Sequence, residues 1–169
     1  MNEVDPLWLV IGSAVLIGLL ALIFQLITYY ISGRWNRHKA ETVDKWAAEG
    51  VQFIRGPAGG QFGGLESMGQ TKGLTGVGFI ALTDTDLRVT RSTPSEAWQI
   101  PFRQIKGVTI QPAFLGKHSK KTPFIVVRFK KEGKADKLAF QVRDFEEWAE
   151  DLAKKAGVRL RDGRNSKDS

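Results

Sequence analysis

Between Leu7 and Ile31 the chain reads LWLVIGSAVLIGLLALIFQLITYYI, a run of 25 residues without a charged side chain. A helix rises about 1.5 Å per residue, so about 20 apolar residues suffice for a hydrocarbon core of about 30 Å. The run therefore predicts a single N-terminal transmembrane α-helix. Pro6 suits the first helical turn, where its missing N–H is not needed. Trp8 lies near one end and Tyr29, Tyr30 and Trp35 near the other, the placement expected of interfacial aromatics. A cleaved signal peptide fits poorly, because the residues before the run are acidic, not basic, and the apolar stretch is too long. The span holds no His, which excludes imidazole ligation of a haem from within it.

Charge is divided as sharply as hydropathy. The first 31 residues carry only Glu3 and Asp5; the rest hold all 25 Lys and Arg against 16 of the 18 acids, a formal +9. Arg34, Arg37, His38 and Lys39 directly follow the span. The positive-inside rule then places the C-terminal part in the cytoplasm and the N-terminus outside, in a single-pass protein of the cell inner (plasma) membrane. Ala14 and Gly18 form a small-xxx-small pair that lets helices approach closely, so they are the candidate helix–helix contact and keep a homo-oligomer open.

The resulting division is an extracytoplasmic N-terminus (1–6), the transmembrane helix (7–31), a basic juxtamembrane segment with a linker helix (32–50), a β-rich domain with a C-terminal helix (51–157) and a polar tail (158–169). In the linker, Val43, Trp46 and Ala47 recur at helical spacing and Gly50 closes the element. Beyond it, Val51–Arg55 reads as a short strand and Gly56–Gly73 as a Gly-rich irregular loop. Gly78–Thr83 and Leu87–Arg91 flank the turn DTD as a hairpin. Glu96–Ile100, a strand around Ile105, Val108 and Ile110, then Phe124–Lys130 and Lys137–Val142 complete the set. A helix follows, with Asp144 as N-cap, Glu147 as its capping-box partner and a face of Phe145, Trp148, Ala149, Leu152 and Ala156. Gly157 ends it. The tail RLRDGRNSKDS is expected to be disordered.

About seven strands followed by one amphipathic helix is the order of an α+β domain of the pleckstrin-homology (PH-like) type. In it, antiparallel strands form a partly open barrel and the C-terminal helix caps the open mouth. The stretch GVGFIALTDTDLRVTR…WQIPFRQIKGV resembles the bacterial pleckstrin-homology and GRAM-like families. Leu82, Thr83, Leu87, Ile100, Pro101, Phe102, Ile105 and Val108 occupy the places of their hairpin and following strand. FIVVRFKKEGKADKLAFQVRDFEEWAEDL is similar to their last hairpin and helix. The resemblance covers roughly residues 74–156, and with the anchor in front it implies a membrane-tethered bacterial protein with a binding habit and no reaction.

The residues themselves point away from catalysis. With no cysteine, thiolate metal sites and cysteine nucleophiles are excluded. His38 and His118 both lie among basic residues, no His, Asp and Glu cluster has ligand spacing, and Asp84 and Asp86 read as turn residues. The glycine-rich run lacks both nucleotide fingerprints. No cofactor, metal or catalytic residue is expected. The polar binding candidates are Lys117, His118, Lys120 and Lys121 on one loop, Arg88 and Arg91 on a strand, and Arg34, Arg37 and Lys39 beside the span. They suit an anionic lipid surface or a protein partner better than nucleic acid, since aromatic residues are not interleaved with the charge. The leading expectation is a non-enzymatic, membrane-anchored interaction or scaffold module, an accessory subunit of a membrane complex. The alternative is a sensor or scaffold that binds anionic lipid, distinguished by its loss at high salt.

Overall fold

The computed structural model describes the backbone of residues 6–68, 76–92, 95–119 and 121–164, and the side chains of 15–30, 40–68, 76–92, 96–119 and 121–164. It comprises two compact units, 1–46 and 47–169. Helix α1 runs unbroken from Pro6 to Ala48, so the expected span and linker helix are one element. Its described apolar stretch extends from Val15 to Tyr30, with every residue exposed.

Among the described residues no helix is long and apolar enough to cross a membrane. This finding corrects three expectations: the transmembrane helix, the single-pass topology and the placement in the inner membrane that was built on them.

The strands of the 47–169 unit are β1 (Phe53–Leu65), β2 (Gly76–Thr83), β3 (Asp86–Ser92), β4 (Ser95–Pro101), β5 (Ile105–Gln111), β6 (Ala113–Phe114), β7 (Lys117–His118), β8 (Phe124–Lys131), β9 (Lys134–Val142) and β10 (Leu160–Asp162). Helix α2 (Phe145–Ala156) follows β9. Eight strands make one sheet in the order β10-β5-β8-β9-β1-β2-β3-β4. All neighbours are antiparallel except β10 on β5. The expected fold class, a transmembrane helix plus a small PH-like barrel of about seven antiparallel strands, is thus replaced by a large mixed sheet. One physical reason lies in the tail, where a polar stretch finds a strand edge to pair with.

The centre of the sheet falls where a loop was expected. β1 pairs with β2 along its first part (Ala58 opposite Ile80, Phe62 opposite Gly76) and with β9 along its second (Gly60 opposite Val142, Leu65 opposite Leu138). Register shifts after Arg55 and after Phe62 bend it from one partner to the other, as bulges do. Its glycines permit close approach: a Cβ on Gly60 would lie 2.7 Å from both the Gln141 carbonyl oxygen and Ile80 Cδ1.

The main core lies on one face. Phe62, Ile80, Leu82, Leu87, Val89, Val108, Ile125, Val127, Leu138 and Phe140 are almost wholly buried there. α2 covers it with Trp148, Ala149, Leu152 and Ala153. Glu146 and Glu147 in the first turn of α2 and Lys154 and Lys155 in the last complement the helix dipole. Gly157 ends the helix in the left-handed region (φ 64°), and the Val158 N–H bonds the Ala153 carbonyl at 3.0 Å. The N-terminus departs from the expected capping box. Asp144 is left-handed (φ 56°) and its side chain caps nothing. Glu147 is instead held, with Asp151, by Arg55 of β1, whose guanidinium lies 5.5 Å from the Trp148 ring. The bond that Arg55 donates to Glu147, then that to Asp151, raise the Arg55 pKa against the cost of burial.

On the opposite face Phe124, Val126 and Ala139 form a smaller cluster that Phe114 and Leu115 cover. β6 and β7 make the covering hairpin, with positive φ at both turn residues, Leu115 (48°) and Gly116 (76°). That is the primed turn that two-residue hairpins favour.

Candidate anion-binding cleft

After the β6–β7 hairpin, which lies over the face of the sheet, the chain returns to the β1–β9 pair. Two bonds fix this return. The Ser119 N–H donates to the Pro112 carbonyl at 2.9 Å, and the Gln141 side-chain amide donates to the Thr122 carbonyl. Between the returning segment and the sheet lies a shallow cleft of about 340 Å³, lined by Gly59, Gln61, Ser119, Lys121, Thr122, Gln141, Val142 and Arg143. Gly59 contributes floor without a side chain.

The cleft is electrostatically one-sided. Lys121 and Arg143 are both exposed, and no carboxylate is among the lining residues. The Gln61 amide and the Ser119 and Thr122 hydroxyls add neutral hydrogen-bonding groups. A Lys ammonium, a guanidinium and amide or hydroxyl donors together suit an oxyanion. No His or carboxylate lines the cleft to activate Ser119 or Thr122. Among the described residues no group of three or more His, Asp and Glu could hold a metal ion.

The sequence candidates are distributed unevenly about this site. Lys121 lines it, and Lys117 and His118 lie on β7 beside it, His118 exposed and Lys117 half-buried opposite Phe114. The side chains of Lys120, Arg34, Arg37, Lys39 and Ala14 lie outside the described residues. Gly18 is exposed on α1, with nothing within 4 Å of where a Cβ would sit.

Arg88 and Arg91 are elsewhere and already engaged. The Arg88 side chain is 13% exposed and bonds Glu49 at 2.6 Å and Asp86 at 3.2 Å. Burial acts to lower its pKa, but the bonds to Glu49 and Asp86 outweigh it and the net shift is upward. Arg91 is 2% exposed, bonds Glu96 at 2.7 Å and lies within 6 Å of the Phe62 and Trp98 rings, themselves stacked 4.6 Å apart. Arg91 ties β3 to β4, and Arg88 ties β3 to the turn at Glu49.

Arg143, Gln61, Gln141 and Gly59 escaped the sequence reading. The signal that would have found them is the pairing of Gln61 with Gln141 across β1 and β9, invisible while Gly56–Gly73 read as a loop. No family model matches the chain, and no curated protein matches it.

Proposed function

We propose that the 47–169 unit is a non-enzymatic binding module that presents the Lys121–Arg143 cleft to an acidic segment of a partner protein. The observation that carries this reading is the composition of the cleft: two exposed cations above hydrogen-bonding groups, without a lining carboxylate to neutralise them. The other well-placed basic side chains, Arg55, Arg88, Arg91, Lys137 and Arg164, each meet a carboxylate of the same chain.

The test is titration of the full chain with a Glu-rich peptide, followed by amide chemical shifts. Shifts centred on Gly59, Gln61, Thr122 and Arg143, weakened tenfold or more in Lys121→Glu/Arg143→Glu at unchanged Tm, are expected. A shift map centred elsewhere, or affinity untouched by the double reversal, overturns the proposal. A parallel titration with vesicles containing anionic lipid separates the occupants. Vesicle binding through the same two residues, with no binding of the peptide, reassigns the cleft to a lipid headgroup. Both interactions weaken with salt, since the charges are exposed.

A further inference from the structure

The outer edge of β5 is closed by the chain's own C-terminal segment. β10 places Leu160 opposite Val108, Arg161 opposite Thr109 and Asp162 opposite Ile110, and the Gly163 N–H donates to the Ile110 carbonyl at 2.8 Å. β5 itself extends from Ile105 to Gln111, so this strap covers part of its edge. Its hold is slight. Val158 and Leu160 pack on the core but are only partly buried, and Arg161 and Asp162 are exposed. Beyond the strand, Arg164 grips Asp162 through paired bonds, reaches Glu146 of α2 at 2.8 Å and lies 5.3 Å from the Phe145 ring.

A three-residue parallel strand with little burial is the kind of element that opens locally at low free energy. Once open, β5 offers unpaired N–H and C=O groups beside α2, and an edge of that kind accepts an extended chain by strand addition.

We propose that the β5 edge is a strand-accepting groove for an extended segment of a partner protein, which residues 158–164 occupy from within the same chain. The internal occupant specifies the ligand's chemistry. It runs parallel to β5, with apolar residues at the positions of Val158 and Leu160, where they meet the core between β5 and α2. A basic residue at the position of Arg164 reaches Glu146 and the Phe145 ring. The segment therefore acts as an autoinhibitory strap, and a partner competes with it at high local concentration. This inference rests on the sheet edge alone and is independent of the cleft.

The probe is a synthetic peptide repeating residues 157–166. It is titrated against the full chain, against the chain ending at Gly157 and against full-length Arg164→Glu, with amide shifts at Val108, Thr109 and Ile110 as the readout. Binding to the shortened chain at least tenfold tighter than to the full chain, with Arg164→Glu in between, is expected. A peptide carrying Arg164→Glu binds the shortened chain about tenfold more weakly. If the shortened chain melts cooperatively and does not bind the peptide, or if both chains bind it equally, the proposal fails. Should the shortened chain not fold, full-length Arg164→Glu decides the matter. Faster hydrogen exchange at Gly163 together with peptide binding upholds the groove, and unchanged exchange without binding overturns it.

Discussion

Asp86 shows how much one side chain is asked to hold. It is 3% exposed, and its carboxylate accepts from Thr83 Oγ1 at 2.9 Å, Gln99 Nε2 at 2.6 Å and Arg88 Nε at 3.2 Å. Its own N–H bonds Thr83 Oγ1 at 2.9 Å. The pair Asp84 and Asp86 reads from the sequence as turn chemistry, and the turn accounts for Thr83 and Thr85. Arg88 lies two residues on along β3 and shares its face, whereas the tie to Gln99 on β4 needs the folded sheet and has no local signature. Removing this acceptor leaves buried donors unpaired, at a cost of about 2–4 kcal/mol. Asp86→Ala should lower the urea midpoint accordingly, and Asp86→Asn should recover part of the loss because an amide oxygen still accepts. A second residue argues the opposite sign. Glu132 begins the β8–β9 turn at φ 52°, before Gly133 at φ 80°, and its side chain is exposed. Asn tolerates that backbone better, so Glu132→Asn should raise stability by about 0.5–1 kcal/mol. An unchanged or lowered Tm would show that the turn is not strained.

Among the elements, those with ordinary strand or helix composition were legible. The runs Leu87–Arg91, Phe124–Lys130 and Lys137–Val142 lie in β3, β8 and β9, because short runs rich in β-branched and aromatic residues between turn signals leave little else to do but pair. α2 was legible from its apolar face for the same kind of reason. β10 and the glycine-rich part of β1 beyond Arg55 were not. Glycine weakens a strand locally, and only the tertiary need for close packing explains a glycine-rich strand at the sheet centre. With that part of β1 hidden, half of the cleft was hidden too: Lys121 was visible as part of a basic loop, while Gly59, Gln61, Gln141 and Arg143 were not. The same close packing ranks two substitutions. A Cβ on Gly78 would sit 1.9 Å from the Thr90 carbonyl oxygen, which is backbone. One on Gly63 would meet the Phe124 ring at 2.9 Å, and a ring can tilt. Gly78→Ala should cost about 3 kcal/mol or more and Gly63→Ala about 1–2 kcal/mol. Equal losses in denaturant titrations would mean that the β2–β3 pair yields as readily as a side chain.

For the whole molecule, the uneven strength of the sheet is the property that function would draw on. The interior strands β8, β9, β1 and β2 share long registers and a continuous core, so they open only with the unit. β10 hangs on three backbone pairs and an exposed clasp, so it opens first, and acid should show the difference. The side-chain bond from Arg164 holds the Asp162 carboxyl below its ordinary pKa of 3.8, while the bonds to Asp162 and then Glu146 raise that of Arg164. A carboxylate with a depressed folded pKa contributes stabilisation that is fully present above its unfolded value and is lost as pH falls through the folded one. The strap should therefore be closed at neutral pH and begin to detach below about pH 4. Hydrogen exchange at the Gly163 amide, corrected for intrinsic rate, should rise in that window before exchange at Phe140 does. Arg164→Ala tests this cause, since its Gly163 exchange should be raised already at neutral pH and change little from pH 5 to pH 3. If wild type and variant instead share one acid profile at both amides, the strap and the unit open together, and β10 is part of the core cooperative structure, not a separable occupant of the β5 edge.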